Sequence, residues 1–189
     1  CLHTFMDGQL FFGSEDKMPS MYDYALLVLK ELILLRKSKK YKFNIYVKPH
    51  PKWSDDYPRG FRNTIDRQIY KELLEQVDIS ELNFLDPWHK IFDISKVVDK
   101  DNTLIISHHG TIVPEAAALG LNTLSSINSM WSDKYLFGNT YKDINELNSK
   151  VILFLEGNLK LSNEKKSKDD LREFIKDYYF VYPSAFSCH

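Results

Sequence analysis

The stretch TLIISHHGTIVPEAAALGLNTLSS, residues 103–126, decides how this chain folds. Thr103 to Ser107 is a short apolar run and predicts a strand. His108-His109-Gly110-Thr111 interrupts it, and Ile112 to Leu119 then reads as a short helix. Gly120 is a natural stop for that helix, because the backbone that closes a helix suits a residue without a Cβ. Asn122 to Ser126 is the next strand. Strand, helix and strand in this order form a βαβ unit, whose two strands run parallel.

Upstream and downstream the alternation continues. Leu2 to Met6 is a candidate first strand, ended by the turn dipeptide Asp7-Gly8. Ser20 to Arg36 is the clearest helix: Ser20 and Asp23 make a capping-box pattern after Pro19, and Arg36, Lys37, Lys39 and Lys40 suit its carboxyl end. Phe43 to Lys48 alternates Phe43, Ile45 and Val47 with polar neighbours until Pro49 and Pro51 stop it. Thr64 to Val77 carries Ile65, Ile69, Leu73 and Val77 at helical spacing. Asn83 to Leu85 is a strand closed by Asp86-Pro87, and Trp88 to Ser95 a short helix. Asp143 to Glu156 and Lys168 to Tyr179 are amphipathic helices, joined through Gly157 and Lys165-Lys166.

The pattern predicts an α/β fold, a Rossmann-like doubly wound parallel sheet with helices on both faces and a helical C-terminal tail. Five strands, Leu2–Met6, Phe43–Lys48, Asn83–Leu85, Thr103–Ser107 and Asn122–Ser126, are expected in one layer. Residues 1–157 are read as one Rossmann-like domain, and 158–189 as a linker and helix packing on it. The start at Cys1, entering an apolar stretch at once, reads as a domain cut from a longer protein.

A chain of 189 residues with 43% hydrophobic and 27% charged residues can bury one sizeable core. A formal charge of -1 argues against a nucleic-acid partner, which calls for a basic excess. The two cysteines, Cys1 and Cys188, supply neither a disulfide framework nor a metal-ligand spacing, and point to a reducing, cytoplasmic setting. The longest apolar runs, Ala25–Leu29 and Leu32–Leu35, are broken by Lys30 and Glu31, short of the ~20 residues that span a bilayer. The basic cluster from Arg36 to Lys42 suits either a solvated helix end or peripheral contact with an anionic membrane surface at the inner face.

Ligands of open parallel sheets bind beyond the carboxyl ends of the strands. Two motifs fall there. Lys48-Pro49-His50-Pro51 holds His50 between two prolines in an extended posture, from which an imidazole can donate to a phosphate or to charge growing on a leaving group. Its plain alternative is a rigid turn. Ser107-His108-His109-Gly110-Thr111 leads into a helix start whose free N–H groups suit an anion. Glu115 lies one turn in, where a carboxylate can accept from ribose hydroxyls. Its plain alternative is that Thr111 caps the helix and Glu115 answers its dipole. Asp99-Lys100-Asp101 mimics a metal-binding Asp-x-Asp but precedes a strand and reads as a solvated turn. His50, His108 and His109 lack a spaced carboxylate or cysteine that would complete a metal set. Trp53 and Trp131 stand near these loops, as stacking or packing residues.

Lys48-Pro49-His50-Pro51, the Ser107 to Thr111 run and Glu115-Ala116-Ala117-Ala118-Leu119-Gly120 together resemble the C-terminal half of GT-B glycosyltransferases. The likeness is to bacterial capsule and surface-polysaccharide enzymes with a His-Pro motif, including those using CMP-activated acidic sugars. Leu2-His3-Thr4-Phe5-Met6-Asp7 is similar to the first strand of that half, so the likeness spans Leu2 to Ser126. The resemblance implies transfer of a sugar from a nucleotide-sugar donor to a glycan or lipid-linked acceptor, with no metal and no cofactor in the chemistry. It implies His50 and His109 as catalytic residues stabilising the leaving group. Lys48, His108, Gly110, Thr111, Glu115 and Ser126 would bind the nucleotide-sugar, His108 from behind the loop. The acceptor's base would come from a missing N-terminal domain. A nucleotide-sugar epimerase or hydrolase of the same architecture, using His3 and Asp7, and a non-catalytic nucleotide-binding module are the alternatives.

Overall fold

The computed structural model describes residues 21–51, 64–108, 110–127, 129, 134–135, 138–159 and 164–177. The expected strand Leu2–Met6, the Pro19-Ser20 cap and both Trp53 and Trp131 lie outside these residues. The described chain alternates helices and parallel strands. In order it forms α1 (Met21–Lys37), β1 (Ile45–Val47), α2 (Thr64–Glu75), a 3-10 turn (Ile79–Glu81), β2 (Leu82–Phe84) and α3 (Ile91–Val97). There follow β3 (Leu104–Ile106), α4 (Ile112–Ala118), β4 (Asn122–Ser126), β5 (Asn139–Tyr141), α5 (Ile144–Leu155) and α6 (Glu164–Ile175).

Helix α1 organises the rest. Asp23 sits in its first turn and Arg36 and Lys37 in its last, each sign matched to the helix dipole. Its buried residues divide along two edges. Ala25, Leu29 and Ile33 pack with Ile45, Val47, Leu73 and Leu82, whereas Tyr24 and Val28 pack with Leu124, Tyr141, Leu147 and Val151. Leu32 borders both clusters. Each large apolar side chain withdrawn from water in these clusters contributes about 1.5–3 kcal/mol.

The strands differ from the expected arrangement in one respect. They form two ladders rather than one layer: β1 with β2, and β3-β4-β5 with β4 central. All pairs are parallel, Ile45 opposite Leu82, Leu104 opposite Asn122 and Leu124 opposite Asn139. The third strand of the second sheet, β5, is absent from the sequence reading. Side chains alternate as a pleated strand requires. Leu104 and Ile106 face the α1 and α5 side, while Ile105 packs with Ile91, Ala116 and Leu121 on the α3 and α4 side. Helices therefore cover both faces of the three-stranded sheet.

Helix ends follow local chemistry. Asp143 caps α5 by accepting from the Glu146 N–H at 2.9 Å. Gly120 takes φ +78 behind α4, with Leu121 N–H donating back to Ala116 O at 3.0 Å, the Schellman closure expected of a glycine there. Helix α6 lies on α4: Phe174 packs on Val113 and meets Tyr135 edge-on at 5.4 Å, and Asp177 accepts from Lys134 and Tyr135. It begins four residues before the predicted Lys168.

Candidate functional site

Parallel pairing puts the residues that follow β1, β2, β3 and β4 at the carboxyl ends of the sheets. The ladder between β1 and β2 runs one step past Phe84, Leu85 N–H donating to Val47 O at 2.9 Å. Lys48 comes next and donates from Nζ to Pro87 O at 2.8 Å, which ties the exit of β1 to the turn after β2. Asp86 shapes that turn by accepting from the Trp88 N–H at 2.7 Å. Pro49 is buried and His50 half-buried behind it, so the proline-flanked segment is held against the protein.

Lys48 and Glu115 lie within electrostatic range of each other without forming an ion pair. Burial pushes the Lys48 ammonium below its ordinary range, while the Asp86 and Glu115 carboxylates pull it back. Burial raises the Glu115 carboxyl, and the Thr111 hydroxyl bond and Lys48 oppose that rise. More than a third of Glu115 still meets solvent, so its desolvation is partial. A cation and a carboxylate thus share an edge where water is thinned on both. Thr111 has helical φ and ψ and makes no side-chain cap to the backbone; its hydroxyl goes to Glu115 instead.

The loop after β3 is built on serine and histidine. Ser107 Oγ accepts from Gly110 N–H at 3.3 Å, and Gly110 O accepts from Val113 N–H at 3.0 Å. Gly110 is buried. His108 turns into the core, only 3% exposed, its ring 4.6 Å from Tyr24 and its Nδ1 3.5 Å from Tyr141 Oη. Tyr141 Oη in turn donates to Tyr24 Oη. His109 lies outside the described residues. Ser126, fully buried at the end of β4, donates its N–H to His108 O at 3.2 Å and accepts from Ser129 N–H and Oγ. The tips of β3 and β4 are thereby bound to each other.

Lys48, Gly110, Thr111 and Glu115 thus share the strand-end edge, with His50 two residues beyond Lys48, while His108 and Ser126 lie beneath it as buried supports. The Asp86–Trp88 turn was missed as part of the site. Asp86-Pro87, which closes a strand on the edge where ligands bind, is its signal. The Tyr24–Tyr141 pair under His108 carried no such signal. Asp99 and Asp101 are exposed, Asp99 accepting from Asp101 N–H and Asn102 Nδ2 in a solvated turn. Among the described residues no three His, Cys, Asp or Glu gather as a metal site, and no helix is long and apolar enough to cross a membrane. Comparison of the chain with protein-family models, curated proteins and solved structures returns no match.

Proposed function

We propose that this chain is the nucleotide-sugar-binding half of a GT-B glycosyltransferase acting on a bacterial surface polysaccharide, a doubly wound domain that closes on an N-terminal half. The observation that carries the reading is the placing of Lys48 after β1, bonded to Pro87 O, and of Glu115 in the first turn of the helix after β3, both beyond the carboxyl ends of parallel strands. An ammonium fits the donor's phosphates, and a carboxylate one helical turn from Gly110 fits two ribose hydroxyls. His50 and His109 would stabilise the charge that gathers on the departing nucleotide, by donors fixed in place before the reaction. His108, held by tyrosines, would position that loop from below. Because side chains supply the positive charge, donor binding is expected to be unchanged by excess chelator.

The division of labour gives the test. Binding energy from the nucleotide survives in the isolated half, while domain closure and the acceptor's base do not. Transfer should appear when the upstream half is present and be absent from residues 1–189 alone. Robust transfer by the isolated chain would put the base within it and overturn this assignment. Donor incubated without acceptor should stay intact with the full-length protein; a freed or epimerised sugar would move the assignment to a hydrolase or epimerase.

A further inference from the structure

The opposite edge of the first sheet holds a second cluster of chemistry-bearing groups. Five cations fall between Arg36 and Lys42, where α1 ends and the chain enters β1. Three are already engaged. Arg36 bonds Glu81 through Nε at 2.9 Å and donates to Glu81 O, Lys37 pairs with Asp78, and Lys40 stands 3.7 Å from Glu156. Lys39 and Lys42 have no ion pair among the described residues. Both line one open cavity of about 490 Å³ with Arg36, Tyr41, Phe43 and Asn44.

Two features make this more than a solvated helix end. First, Lys39 has φ 59, the only non-glycine residue with positive φ among those described. A left-handed residue closing a helix is ordinarily glycine or asparagine, because a Cβ is strained there. A lysine in that conformation is strained, and strained backbone positions cluster at ligand sites. Second, three of the four last carbonyls of α1, which would repel an anion, already accept hydrogen bonds. Leu34 O accepts from Ser38 N–H, Leu35 O from Ser38 Oγ, and Arg36 O from Lys39 N–H. The cavity is therefore lined by Lys39 and Lys42, neither in an ion pair among the described residues, and by Asn44.

We propose that this cavity binds a phosphate group between Lys39 and Lys42, as a site separate from the strand-end edge. Asn44 and Lys48 bracket β1, so the two sites stand about 13 Å apart along the strand at 3.3 Å per residue. The chemistry fits a phosphate dianion, whether free in solution or carried on an anionic lipid headgroup. The inference does not rest on the glycosyltransferase reading.

The test follows backbone amide shifts while inorganic phosphate is titrated into the wild-type chain and into Lys39→Gly, Lys42→Gln and the double variant. Saturable shifts are expected across residues 36–44 of the wild type. Each single variant should weaken them about tenfold, the weight of one charged hydrogen bond. Lys39→Gly should at the same time raise the melting temperature, since glycine relieves the left-handed strain. That pairing of gained stability with lost affinity is not what a purely structural turn would show. Flotation with phosphatidylglycerol and phosphatidylcholine vesicles distinguishes the sources. Capture by the anionic vesicles alone, abolished in the double variant, assigns a lipid headgroup; phosphate shifts without capture assign a free ligand. Absence of both, or binding unchanged in the double variant, overturns the proposal.

Discussion

Replacing Gly138 by alanine tests the packing that holds the central strand of the larger sheet. Gly138 immediately precedes β5, and a Cβ built on it would lie 2.1 Å from Thr123 Oγ1 and 3.3 Å from Thr123 Cβ. Thr123 sits in the middle of β4, 3% exposed, opposite Ile105 of β3. Its β-branched side chain has few rotamers to escape into. The first contact is far inside van der Waals distance, so either β5 shifts or Thr123 leaves its well. Overpacking of this kind costs about 1–3 kcal/mol, which in a chain of this size lowers the melting temperature by roughly 2–12 °C. Thr123→Ala removes the offending Oγ1, so in the double variant the two changes should compensate in part. Thermal and urea unfolding of the wild type, both singles and the double give the coupling. Gly138→Ala within about 0.5 kcal/mol of wild type, or strictly additive effects, would refute this account of the β4–β5 contact.

Other predictions concern the site's supports. Tyr141→Phe removes the hydroxyl that donates to the buried Tyr24 Oη; unfolding should become easier by about 1–3 kcal/mol, and a neutral outcome would dissolve the proposed support. Glu115→Gln should show a pH signature. Its folded carboxyl is raised above the ordinary 4.5, so the folded state holds the proton more readily than the unfolded one. The wild type's disadvantage is therefore absent below that value and complete once pH exceeds the raised folded value. Melting temperatures should diverge in favour of Gln as pH climbs through this window; a gap that instead widens on acidification would reverse the sign.

Much of the fold was legible because its helices carry strong local signals. The basic carboxyl end of α1, the start of α5 at Asp143 and the Gly120 stop each act within a few residues and survive into the structure. Strand ends were read one or two residues too long at β1 and β3, where hydrogen-bond pairing rather than apolar pattern sets the limit. Strand β5 escaped because Asn139-Thr140-Tyr141 has no apolar run; only tertiary pairing with β4 and the fully buried Tyr141 ring make it a strand. Helix α6 starts early because Glu164, Lys165 and Lys166 look like linker, although the face that anchors the helix is Leu171, Phe174 and Ile175. At the candidate site, the motifs at Lys48 and Gly110 could be found, since proline fixes the backbone and glycine permits close approach to it. The burial of His108 beside Tyr24 and Tyr141 could not be read, because it depends on residues brought together by three separate elements.

The most direct test of the central claim is calorimetric titration of CMP, UDP and GDP into residues 1–189 and into Glu115→Ala. The account predicts saturable one-to-one binding of at least one nucleotide by the wild type. Removing a carboxylate that accepts from ribose hydroxyls should weaken it by about 1.5–3 kcal/mol, roughly 10- to 150-fold, with folding intact. Equal affinity in the two proteins, or no nucleotide bound by either, would contradict a donor site built on Lys48 and Glu115.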